Sequence, residues 1–154
     1  MTIPVQHVIT SVHEAASKTE KLLLLVGGPG SGKSKILREM ATMRGWKYVD
    51  ARTLVTEEIL EMSPKMRPQQ APNKIEESLD ILHAEVILID NVEVFMAPVV
   101  NLEPLALVKQ ISKKHTVVVG WPGDYYDGKL VLDYNGQRHE CVGDISDTNI
   151  VVIA

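Results

Sequence analysis

Cysteine is nearly missing from this chain, with Cys141 alone among 154 residues. A single thiol excludes an internal disulfide and any cysteine-based zinc site, and it points to a reducing compartment, the cytoplasm. The five histidines show no ligand spacing either. Long hydrophobic runs are also lacking: Leu22–Val26 falls far short of the ~20 apolar residues of a membrane helix. The N-terminus MTIPVQHVIT has no basic segment ahead of an apolar one, so neither export nor a membrane partner is expected. Positive charge is not in excess. Sixteen Lys and Arg against 20 Asp and Glu leave a net charge of −4, which gives no global pull toward nucleic acid or anionic lipid. With 45% hydrophobic and 23% charged residues the chain is ordinary globular material, long enough for one core, so residues 1–154 are expected to form a single domain.

The hydrophobic pattern alternates between two periods. Val5, Val8, Ile9, Val12 and Ala16 recur at helical steps, predicting an N-terminal helix within 1–20. LLLLV (22–26) suits a strand covered on both faces, and Ile36, Leu37, Met40 and Met43 then mark a helix that Gly45 stops. WKYVDA (46–51) reads as a short outer strand and 53–62 as a helix capped by Thr53. Residues 63–73 hold three prolines and no apolar period, and are expected to be a loop. Asn73 then precedes a helix through Ile75, Leu79 and Leu82, followed by the buried strand EVILID (85–90). A further helix carries Leu102, Leu105 and Val108 into the strand 115–121, and GWPGD (120–124) reads as a turn at its carboxyl end. KLVLDY, NGQ and RHECV (129–142) predict a hairpin inserted before a last buried strand in TNIVVIA.

GGPGSGKS fits GxxxxGK[ST] and sits between a buried strand and a helix, which is the setting this pattern requires. Gly27, Gly28, Gly30 and Gly32 let backbone N–H groups wrap phosphates, Pro29 stiffens the loop, and Ser31 lies within it. Lys33 is the point charge for the outer phosphates, and the Ser34 hydroxyl is an oxygen ligand for Mg²⁺. The expected ligand is therefore ATP or another nucleoside triphosphate with Mg²⁺. Asp90, ending the apolar strand 85–90, is the expected metal-side carboxylate, acting through water; Asp50, ending the shorter outer strand, is its competitor. Asn91 follows where a glutamate base would serve a plain ATPase, and an amide orients water but accepts no proton. Glu93 supplies the base if the chain turns back there, and is otherwise a solvated surface acid. Arginine is scarce. Arg38 and Arg44 are expected to face solvent. Arg138 is the first candidate for a phosphate-stabilising finger, acting across a subunit interface, and Arg67 the second, with ordinary solvation as the alternative for both. Trp121 is expected to pack against the core.

These motifs resemble the additional-strand P-loop ATPases, the group that includes AAA+ and RecA-like proteins. The resemblance implies an α/β, three-layer α/β/α fold with a mostly parallel sheet of order 5-1-4-3-2, mapping to 150–153, 22–26, 115–120, 85–90 and 46–50. AAA+ proteins continue into a helical lid, which this chain, stopping at Ala154, is expected to lack. More narrowly, LIDNVEVF and WPGDYYDGKLVLDY resemble the BrxF family of small P-loop proteins from type 3 bacteriophage-exclusion (BREX) systems. That likeness implies an anti-phage defence role with larger protein partners, a DNA methyltransferase among them. The function expected is ATP binding with weak Mg²⁺-dependent hydrolysis, or a nucleotide switch forming homo-oligomers. A non-hydrolysing scaffold is the alternative, and a small-molecule kinase is third because 63–73 holds only Arg67.

Overall fold

The structure, a computed structural model, describes residues 4–153; Met1–Ile3 of the N-terminal segment and Ala154 of the apolar tail lie outside it. Strand β1 (Leu22–Gly27) explains the architecture, since alternate side chains point to opposite faces of a strand. Leu22, Leu24 and Val26 enter one apolar cluster, and Leu23 and Leu25 enter another. Both faces of the sheet are therefore covered, which is why this strand is apolar at every position. One cover is α1 (Val5–Ala15) with α2 (Lys33–Arg44), through Val8, Ile9, Val12, Ile36, Leu37 and Met40. The other includes Ile75 and Leu79 of α4 (Arg67–Asp80) and Leu105 and Val108 of α5 (Pro104–Ser112).

The parallel core also contains β2 (Lys47–Asp50), β3 (Val86–Asp90), β4 (Thr116–Tyr126) and β7 (Asn149–Val152). Its order is β7-β1-β4-β3-β2, the expected 5-1-4-3-2. Register pairs Leu24 with Val119 on one side and Ile150 on the other, and Asp50 with Asp90 at the outer pair. The apolar tail is thus a core strand.

Three local expectations are corrected. Of residues 63–73 only 63–66 are loop, because α4 begins at Arg67 and Asn73 lies inside it rather than capping it. Pro68 falls in the first turn, where a missing N–H costs nothing, and Pro72 is tolerated because Ala71, Ile75 and Leu79 bury one stripe of this helix. Second, 53–62 is divided between a 3-10 turn, Ala51–Leu54, and the short α3 (Glu57–Glu61), whose cap is Thr56. The Thr53 hydroxyl donates instead to Asp50 O at 2.7 Å. Third, GWPGD is strand. At Pro122, β4 leaves its partner β1 and from Gly123 pairs antiparallel with β5 (Lys129–Tyr134), a change of partner that suits a residue without an N–H. The hairpin foreseen at 129–142 is β5 with β6 (Gln137–Glu140), and β4 makes it a three-stranded extension. No helix among the described residues is long and apolar enough to cross a membrane.

Candidate functional site

Gly27 ends β1 where the chain folds tightly on itself. A Cβ there would collide with Ser31 Oγ and come within 2.8 Å of Ile153 Cγ1, so no larger residue fits. Gly32 leads into α2 at φ 96°, a left-handed conformation that glycine adopts without strain. No side chain caps α2, so the first N–H groups of this helix stay available to an anion, and Gly30–Lys35 line a hollow of ≈ 270 Å³ there. Lys33 is pinned at this mouth. Its Nζ donates to Gly27 O at 2.7 Å, Gly28 O at 3.0 Å and Ser31 Oγ at 3.4 Å. Burial lowers its pKa, opposed by the charges of Asp90, Glu93 and Asp133. An ammonium held at the mouth of the loop by carbonyl and hydroxyl oxygens is a point charge for phosphate oxygens.

Asp90 is buried at the carboxyl end of β3 and gathers three donors. Ser34 Oγ donates to its Oδ2 at 2.6 Å, Tyr48 OH to the same oxygen at 2.7 Å, and Asn91 N to Oδ1 at 3.0 Å. The Ser34 hydroxyl, giving its proton to Asp90, keeps its lone pairs for a cation. This donor set fits Mg²⁺ arriving with phosphates. Among the described residues no cluster of three or more His, Cys, Asp or Glu is arranged to hold a metal by itself. The competitor, Asp50, is committed elsewhere: the Arg52 fork holds it at 2.6–3.0 Å and keeps its pKa down at about 2.

Asn91 takes φ 63°, and this left-handed residue turns the chain into a 3-10 helix, Val92–Met96. Glu93 sits in this turn, half-buried, and its carboxyl feels the charges of Asp90, Lys33 and Arg52. Burial, with Asp90 a lesser contributor, raises its carboxyl above the ordinary range, the direction that makes a carboxylate a better base. The role of Asn91 visible here is in the backbone.

The arginines divide differently from expectation. Arg67 is buried, its guanidinium donating to Met62 O at 2.8 Å, Ile59 O at 3.3 Å and Leu60 O at 3.4 Å. It ties α3 to α4 and is neither a finger nor a solvated surface group. Arg38 and Arg44 are exposed but lie over aromatic rings, 5.3 Å from Tyr48 and 5.6 Å from Trp46. Arg138 is paired with Asp133 on the hairpin, beside the loop of its own chain. Trp121 is fully buried and donates from Nε1 to Val131 O at 3.0 Å.

Sequence reasoning missed Tyr48 and Arg52. Arg52 follows a strand-ending aspartate by two residues at the carboxyl edge of the sheet, which is a usable signal. Tyr48 gave none, because its partner Asp90 is 42 residues away.

A parallel sheet of order 5-1-4-3-2, with its first strand running through GGPGSGKS into a helix and Asp90 two strands away, is the P-loop NTPase fold in its additional-strand form. No family model matches the sequence, and no curated protein matches it. Among solved structures the chain is similar to C. elegans PCH-2, at 17% identity and TM-score 0.48 over 97% of this chain and 41% of that one. It is similar to a DNA replication initiation factor, at 16% identity and TM-score 0.49 over 96% of this chain and 44% of that one. AMPPCP-bound DnaA from Aquifex aeolicus matches 78% of this chain and 40% of its own, at 15% identity and TM-score 0.38. This chain therefore spans less than half the length of these structures.

Proposed function

We propose that this protein binds ATP with Mg²⁺ at Gly27–Ser34 and hydrolyses it slowly, acting as an oligomeric nucleotide switch for larger protein partners in the cytoplasm. The observation supporting this most strongly is the convergence on Asp90, where Ser34 Oγ at 2.6 Å joins the loop to the metal-side carboxylate beside a pinned Lys33. In this reading the loop amides and the α2 N-terminus receive the phosphates, and Lys33 neutralises the outer two. Ser34 and, through water, Asp90 would hold Mg²⁺, which when bound offsets charge on the β- and γ-phosphates. Glu93 takes a proton from the attacking water. Oxygen then bonds to the γ-phosphorus as the bond to the bridging oxygen breaks, leaving ADP and phosphate.

The resemblance of LIDNVEVF and WPGDYYDGKLVLDY to the BrxF family supports a place in a BREX anti-phage assembly, with a methyltransferase among the partners. Asn91 directly after Asp90 favours a second reading, a non-hydrolysing nucleotide-binding scaffold, since Asn91 provides no base. The kinase reading loses its phosphate-gripping cation, because Arg67 is bound to main-chain carbonyls. Phosphate release measured together with light scattering, with and without ATP and Mg²⁺, tests the proposal. Slow release with an ATP-dependent rise in mass supports the switch. Binding without release supports the scaffold, and no binding removes both.

A further inference from the structure

We propose that the β5–β6 hairpin is the second wall of the phosphate site, with Arg138 acting on the outer phosphates of its own chain and Asp133 holding that arginine until they arrive. The inference rests on the P-loop reading above and replaces a finger supplied across a subunit interface with one supplied in the same chain.

Pro29, at the exposed apex of the loop, shares a groove of ≈ 460 Å³ with Asp133, Asn135, Gly136, Gln137 and Arg138. The hairpin therefore faces the loop. Its tip is a two-residue turn, with Asn135 and Gly136 at φ 52° and 76° as twisted strands require, and Leu130 and Leu132 anchor β5 in the core.

Charge gives the groove its direction. Asp133 lines the groove together with Pro29, a residue of the same loop as Lys33, so the hairpin carboxylate borders the phosphate loop. Unpaired, that carboxylate would repel a polyphosphate. It is paired: Asp133 and Arg138 are directly opposite in the β5–β6 register, with Nε to Oδ1 at 2.8 Å and Nη2 to Oδ2 at 3.1 Å. Asp124, from β4, adds a contact at 3.9 Å. The arginine is exposed and its carboxylate partner partly so, and a solvated ion pair of this kind, worth little in itself, can be exchanged for another anion of the same bidentate geometry. A phosphate fits the guanidinium fork as well as a carboxylate does. Incoming outer phosphates thus compete with Asp133 for Arg138.

Affinities of the full chain for ATP and ADP with Mg²⁺, measured by titration calorimetry, test this. Arg138→Ala is expected to weaken ATP by about tenfold or more, with a much smaller effect on ADP. Arg138→Lys, keeping charge without the fork, should recover part of the loss, and Asp133→Asn should tighten ATP several-fold by freeing the arginine and removing repulsion. Mixing Arg138→Ala with Lys33→Ala protein should restore no phosphate release. Equal losses for ATP and ADP, unchanged ATP affinity in Asp133→Asn, or rescue on mixing would each overturn the inference. Lys33→Ala separates the two levels: wild-type ATP affinity in that variant refutes the P-loop reading itself, whereas its loss beside an unaltered Arg138→Ala protein refutes only the hairpin.

Discussion

In the proposed reading, Glu93 is the residue on which hydrolysis turns. Its carboxyl is raised by burial, so in the folded protein it holds a proton more tightly than in the unfolded chain. Ionising it costs folding stability, a cost absent below the ordinary carboxylate pKa and complete above the raised one. Glu93→Gln should therefore melt above wild type at pH 7 and lose that advantage as the pH falls into the carboxylate range. The same variant should lose roughly 10²–10⁴-fold in phosphate release while still binding ATP, and wild-type release should fall on acidification through that window. Unchanged turnover would make Glu93 a surface acid. Tyr48 makes a second case, its hydroxyl donating to Asp90 at 2.7 Å and its pKa pushed up to about 12, by burial first and by that bond second. Tyr48→Phe should raise the Mg²⁺ needed for half-maximal phosphate release by about tenfold, because second-layer partners orient metal-side carboxylates. A metal titration checks this. Gly27→Ala forces a methyl against Ser31 and Ile153, and should cost about 1–3 kcal/mol in a denaturant titration together with ATP binding.

Among the elements, the α3–α4 corner depends on one buried arginine. Arg67→Met would leave the carbonyls of Ile59, Leu60 and Met62 without their shared donor, at about 1–3 kcal/mol. Hydrogen exchange should rise across residues 59–67 with ATP affinity little changed; a large loss of affinity would instead connect this corner to the site. The same corner shows where a linear reading stops. Runs such as LLLLV and EVILID announced their strands because a strand covered on both faces leaves no polar position to confuse the pattern. The loop motif was equally legible, being contiguous. Proline counting failed at 67–73, since tertiary burial of Ala71, Ile75 and Leu79 outweighed local propensity. The length of β4 was hidden for a related reason: its second half is strand only because β5 returns to pair with it. Tyr48, Arg67 and the Asp133–Arg138 pair took their roles from neighbours that folding supplies, so composition and spacing gave Arg138 a candidacy but not its partner.

For the molecule as a whole, the sheet order brings the carboxyl ends of β1, β3 and β4 to one edge, with the loop, Asp90 and the hairpin gathered there. The Lys33 ammonium and the carboxylates of Asp90 and Glu93 share that edge, and in the proposed reading a magnesium–triphosphate answers both charges at once. The most direct test is titration calorimetry of ATP with Mg²⁺ against wild type, Lys33→Ala and Asp90→Asn, with melting curves confirming that each variant is folded. We predict one saturable site per chain, weakened by about 100-fold or more in Lys33→Ala and losing most of its Mg²⁺ dependence in Asp90→Asn. A folded Lys33→Ala protein that binds ATP with wild-type affinity would contradict the account.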